Sequence, residues 1–161
     1  MKKKRKFKLH PKRIAVFLFA ALLFVINPFK KGVWDINAER LSKSFNVISG
    51  NAIIEDLSEW TTFEWDALYS FLPYTSKQII YDTVGYKWDN IRETYDEAME
   101  QTVFVNDGKV VCYLYGYPVD LKIGFDFGEF EGSNIKLSAE DNLSFQISET
   151  EDGVKYLKYI Y

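Results

Sequence analysis

Between Arg13 and Asn27 the chain runs IAVFLFAALLFVI, thirteen residues without a polar side chain. A helix that is apolar all round has no face to turn to water, so this segment has to be buried in a lipid layer or in protein. Thirteen residues rise about 20 Å as a helix, and extension through Phe29 gives roughly 24 Å against about 30 Å of hydrocarbon. Flanking lysines that snorkel and a bilayer that thins make the span feasible. The reading is a membrane anchor over residues 14–29 behind a basic stub at 1–13. A cleaved signal peptide has an apolar region of similar length, but the following NPFKKGVWD offers no small-x-small site and no cysteine for lipid attachment, which favours retention.

Charge sets the orientation. Residues 1–31 hold ten basic groups and no acid, eight of the ten ahead of the apolar run. That excess predicts a cytoplasmic N-terminus and an exported C-terminal domain, with Trp34 at the outer membrane interface. The remaining ten basic groups face all 23 acids of the chain, so residues 32–161 carry a net charge of −13. A lysine-rich stub beside an apolar segment reads as a topology signal that also attracts anionic lipid, and nucleic acid is excluded as a partner.

The exported part divides into a stalk or linker helix over 30–46, with Ile36, Leu41 and Phe45 at helical spacing, and an acidic domain over 47–161. AIIEDL and FEWDALYSFL (63–72) read as strands. Thr75 and Gln78 form a T-x-x-Q capping box, and Gly85 suits the left-handed residue that closes a helix, which predicts a helix over 76–84. DNIRETYDEAME (89–100) is acidic and helical or irregular. VFV-NDG-KVVCYLYGY is a hairpin turning on Asp107-Gly108. VDLKIGFDFGEFE (119–131) alternates as a strand with one wet face, and LSFQIS and VKYLKYIY form a second hairpin. The sum is an α+β domain: an antiparallel sheet of five or six strands with one or two helices on one face, behind an N-terminal transmembrane helix. Cys112, the only cysteine, permits no internal disulfide, so the core alone has to hold this domain.

The segment FEWDALYSFLPYTSKQIIYDTVGYKW, followed by VFVNDGKVV, resembles a group of small uncharacterised membrane-anchored or secreted proteins of Gram-positive bacteria. The likeness covers about the middle third of the exported domain and rests on a tryptophan-aspartate strand, a Pro-Tyr-Thr helix start and the F-V-x-x-G-K-V-V hairpin. It implies an envelope location and no particular activity. In order of elements, a capped helix before an aromatic hairpin is similar to small envelope modules of the β-lactamase-inhibitor-like type.

Much catalytic chemistry is excluded. His10 is the only histidine and lies in the stub, so Ser-His-Asp and Cys-His machinery and histidine-type zinc or copper sites cannot be built in the domain. There is no phosphate-binding glycine loop, and Asp126-Phe127-Gly128 lacks every other kinase motif. Glu149, Glu151, Asp152 and Gly153 miss the spacing of a calcium loop. No cofactor, metal or catalytic residue is expected. The carboxylate alternative, a glycan or cell-wall hydrolase, would pair Asp66 with Asp126, Glu129 or Glu131 across a cleft. Aromatic rings supply the other candidates. Trp60, Trp65, Trp88, Tyr113, Tyr115, Tyr117, Tyr156, Tyr159 and Tyr161 serve first as core and cross-strand packing, yet the C-terminal YLKYIY is aromatic on both faces and has to lie centrally in a sheet or meet a partner. The candidate binding set is Trp65, Asp66, Tyr156, Tyr159 and Tyr161. The expectation is a non-enzymatic, membrane-tethered interaction module for a basic extracytoplasmic protein, in the manner of an immunity or inhibitor protein, because −13 outside an anionic membrane favours cationic partners.

Overall fold

The structure, a computed structural model, describes residues 31–130 and 132–160. The basic stub, the expected anchor at 14–29, His10, Glu131 and Tyr161 lie outside the described residues. Among the described residues no helix is long and apolar enough to cross a membrane.

Two hairpins organise the chain. Strand β3 (Glu100–Asn106) turns into β4 (Lys109–Gly116) through Asp107 and Gly108, whose φ values of 49° and 69° are the paired positive angles of a tight two-residue turn. Asp66 secures the turn, its Oδ2 accepting from Asp107 N–H at 2.7 Å. Strand β7 (Ser144–Glu149) pairs antiparallel with β8 (Lys155–Ile160), as the second expected hairpin requires. The other strands are β1 (Ala52–Ile54), β2 (Ala67–Phe71), β5 (Ile123–Asp126) and β6 (Asn134–Ser138). They complete two four-stranded sheets in the orders β1-β7-β8-β5 and β4-β3-β2-β6, in which only β5 and β8 run parallel. The fold is therefore α+β and rich in antiparallel pairs, but with two sheets rather than one of five or six strands. Strand β8 is internal, hydrogen-bonded to β7 on one edge and β5 on the other, the central place in a sheet that was one of the two expected for YLKYIY.

Packing explains the pair of sheets. Leu68, Phe104, Cys112 and Leu114 from one sheet meet Ile54, Phe125, Phe145, Ile147 and Leu157 from the other in a single core. The far face of the β4-β3-β2-β6 sheet carries Tyr69, Phe71, Val103, Val105 and Tyr113, and Ile80, Val84 and Ile91 cover it. That sheet is buried on both faces, so β2 is buried at all five positions instead of alternating.

Helices fill the gaps. α1 (Val33–Phe45) is the helix expected at 30–46, but it belongs to the folded domain and does not stand off as a stalk. Leu41 and Phe45 are fully buried in the main core, and Asn37 Nδ2 donates to Val111 O at 2.9 Å. Val111 is the extra residue of a bulge, since Phe104 pairs with Cys112 and Val105 with Val110. α1 thus covers β4, the edge strand of its sheet, and satisfies a carbonyl that the ladder leaves over. Trp34, expected at a membrane interface, packs edge-on against Trp88 at 5.1 Å. α2 (Lys77–Val84) ends as expected in left-handed Gly85, φ 92°, but its cap is Ser76 and not Thr75. Thr75 turns back to donate to Leu72 O at 2.7 Å, and Gln78 donates to Asp82 at 2.8 Å, so the expected capping box does not form. The continuous strand expected over 119–131 is broken. Pro118 opens a helical turn, α3 (Pro118–Leu121), Lys122 closes it at φ 61°, and only Ile123–Asp126 is extended.

Candidate functional site

The proposed binding residues do not form one surface. Trp65 is buried, its indole edge-on to Phe104 at 5.2 Å and its Nε1 donating to Thr61 Oγ1, so its structural use is in the core. Asp66 is exposed with its carboxylate committed to the Asp107 turn. Tyr156 and Tyr159 are three residues apart on β8 and therefore face opposite sides of its sheet. Tyr159 lies against Phe145 at 5.3 Å; Tyr156 lies over Gly124, where a Cβ would meet its ring at 2.5 Å.

Four of the aromatic residues in the wider set do converge or adjoin. Tyr113 lies 5.3 Å from Trp88 and stacks on Tyr115 at 5.7 Å, and Trp34 closes the group at 6.3 Å from Tyr113. Tyr117 sits beyond them, beside Tyr95 and Asp96. Hydrogen bonds fix these rings: Tyr113 Oη accepts from Arg92 N–H at 3.1 Å and from Gln101 Nε2 at 2.8 Å, and Tyr115 Oη donates to Glu93 O at 2.9 Å. Burial pushes the Tyr113 hydroxyl up to about 12, so it stays protonated. The Arg92 guanidinium lies 5.7 Å over the Tyr115 ring, opposite in sign to the ring face.

Beside these rings runs a groove of about 600 Å³. One wall is the α1 stripe of Asp35, Ala38, Glu39 and Lys43. The other is built from Asn90, Arg92, the end of β4 and residues 120–122. Ser42 Oγ donates to Leu121 O at 2.7 Å and ties the two walls together. The sequence hides this site because its walls come from three segments far apart in the chain.

A second notable region is acid-rich. Glu55, Asp56, Glu59, Glu64, Asp66, Asp107, Glu140 and Asp141 occupy segments 55–66, 107–108 and 139–143, which contain no basic residue. These segments are tied to one another by Asp66 to Asp107, by Ala139 N–H to Asp66 O (3.0 Å) and by Leu57 N–H to Leu143 O (2.9 Å). Seven of the eight side chains belong to exposed residues, and Asp56, half-buried, caps the following 3₁₀ turn through Ser58 N–H.

One carboxylate differs from the rest. Glu100, partly buried at the start of β3, accepts Phe125 N–H at 2.9 Å and so links the two sheets. Burial pushes its pKa from 4.5 up to about 7, the Phe125 hydrogen bond opposes that rise, and the Asp126 charge adds to it. Its burial depends on β5 arriving beside β3, and no local pattern in the sequence announces that. Among the described residues no group of three or more His, Cys, Asp or Glu side chains is placed to hold a metal ion. Comparison with protein-family models, curated proteins and solved structures finds no match to this chain.

Proposed function

We propose that residues 32–161 form a non-enzymatic interaction module, tethered by residues 14–29 to a membrane with the domain on its outer side, and that its partner is a basic extracytoplasmic protein. The observation that carries this reading is the separation of charge along the chain, ten basic groups and no acid before residue 32 against −13 after it. A field of that sign draws cationic surfaces and repels an anionic bilayer. Further support comes from the acid-rich segments 55–66, 107–108 and 139–143, which the hydrogen bonds of Asp66 and Leu57 hold in fixed relation. Prefixed positions spare a partner the entropy of ordering those loops.

The test is affinity capture from detergent-solubilised envelope at low and high salt, using the fragment that begins at Gly32, where the compact unit begins. A start at residue 35 removes Trp34 from its packing against Trp88 and Tyr113. One basic protein retained at moderate salt is the expected result. Retention of many basic proteins that all wash off with salt would reduce the acidity to an aid to solubility.

The carboxylate-hydrolase alternative has one specific support, the raised pKa of Glu100 with Asp126 acting on it, as a general acid requires. Cleavage of a glycan by the protein that Glu100→Gln abolishes, without loss of fold, is the result that would favour it.

A further inference from the structure

Three tyrosines meet at one surface and belong to neither hydrophobic core. Tyr74 is 60% and Tyr95 69% exposed, and Tyr117 is half-buried. Each comes from a different segment, and the fold joins the segments. Tyr74 N–H donates to Thr94 Oγ1 at 3.0 Å, which sets Tyr74 beside the chain neighbour of Tyr95. Lys77 N–H donates to Glu93 Oε1 at 2.8 Å and ties the same two segments a second time. The Tyr117 hydroxyl lies against the side chains of Tyr95 and Asp96.

Tyr74 also carries a backbone cost. It is third in the turn Leu72–Thr75, which Thr75 N–H closes on Leu72 O at 3.3 Å, and it stands at φ 64°. Glycine or asparagine fits that place without strain, whereas a bulky aromatic residue does not. A strained ring held out in solvent adds nothing to the core, which marks it as a contact residue.

The charges around the rings select the occupant. Asp96 and Glu97 follow Tyr95 in the chain, and Ala98 N–H holds the Asp96 carboxylate at 2.8 Å. Asp120 is tied to Tyr117 through its own N–H, 2.9 Å from Tyr117 O. With Glu93 these acids outnumber Lys77 and Arg92, the bases of the same segments. Arg92 shows what such a surface accepts, since its guanidinium lies 5.7 Å over the ring of Tyr115, a neighbour of Tyr95.

We infer that this tyrosine surface is where the domain receives its basic partner, arginine side chains of that protein lying on Tyr74 and Tyr95 with their guanidinium groups toward Asp96 and Glu97. The inference rests on the basic-protein reading and adds to it a surface and a preferred cation. Tyrosine supplies contact area at little cost in rotamer entropy, and a planar guanidinium stacks on a ring better than a hydrated ammonium does. The acid-rich segments 55–66, 107–108 and 139–143 attract either cation and serve the approach rather than the choice.

The experiment uses the full chain in non-ionic detergent micelles and two labelled, end-capped peptides of equal length and charge, one alternating arginine with serine, the other lysine with serine. Binding is read by fluorescence anisotropy at low and moderate salt. The expected result is binding of the arginine peptide about fivefold tighter than of the lysine peptide. Tyr95→Ser and Tyr74→Gly each reduce that preference and leave the lysine peptide unchanged. Tyr74→Gly relaxes the turn, so its melting temperature does not fall and lost binding is not lost fold. Equal binding of the two peptides, or a preference that both variants keep, overturns this surface and leaves the basic-protein reading standing. Failure of both peptides to bind at low salt removes that reading as well.

Discussion

Replacing Glu100 with glutamine tests whether the two sheets are joined through a carboxylate that resists ionisation. The side chain sits between β3 and β5, accepts Phe125 N–H, and has its pKa raised from 4.5 to about 7, chiefly by burial. An unfolded glutamate releases its proton near pH 4.5, whereas the folded one keeps it to about pH 7. Between those values the native state binds more protons than the unfolded chain, so this group's contribution to stability falls as pH rises. The contribution is fully present below pH 4.5 and lost above about pH 7. At 1.36 kcal/mol per pKa unit the whole effect is about 3 kcal/mol. Glutamine keeps an acceptor for Phe125 and carries no charge. Urea titrations of both proteins from pH 4 to 8 therefore give nearly equal stabilities at the acid end, with Glu100→Gln ahead by up to about 3 kcal/mol at the alkaline end. A difference that does not change with pH would refute the reasoning. A variant uniformly less stable would mean that the side chain's shape, and not its charge, is what the junction requires.

Three further substitutions probe other joints of the fold. Leu41→Ala, at a fully buried position in α1, lowers stability by about 2–5 kcal/mol in chemical denaturation; an unchanged midpoint would return α1 to the status of a stalk. Gly124→Ala places a methyl 2.5 Å from Tyr156 Cε1 and 2.9 Å from Glu100 Oε1, and overpacking of that kind costs about 1–3 kcal/mol, measurable as a lower melting temperature. Lys155, buried beneath Glu149 at 2.6 Å and donating to Ile48 O, anchors the loop after α1 to the β7–β8 hairpin. Lys155→Ala leaves the Ile48 carbonyl without that donor, at a cost of about 1–3 kcal/mol, and raises amide exchange around residues 46–50.

Local chemistry in the sequence reached as far as local structure goes. Asp107-Gly108 and Gly85 are residues that tolerate the positive φ which a tight turn and a helix end require, so the β3–β4 hairpin and the end of α2 were legible. β7 and β8 were legible through their length and the Gly153 turn between them. β6 was missed because NIKLS is short and only half-buried, and its identity comes from pairing with β2. The strand expected over 119–131 failed because hydrophobic alternation cannot outweigh Pro118, which presets a helical turn. The division into two sheets was hidden for a related reason. A strand pattern states which side chains point together and does not state which strand lies alongside. Of the groove, Tyr113 and Tyr115 stood out as aromatic candidates, while no local pattern marked Asp35, Lys43 and Lys122 as lining one groove, because that depends on α1 folding against β4.

Cys112 points inward from β4 into the core between the sheets, with no exposed surface, and burial pushes its thiol pKa well up. A thiol in that setting is neither ionised nor reachable, so an alkylating reagent can modify it only after the strands around it have parted. Being the only cysteine in the chain, it gives every labelled molecule a single meaning. The rate at which a maleimide reacts is thus a clock for opening of the domain, readable at trace concentration and with no cysteine introduced.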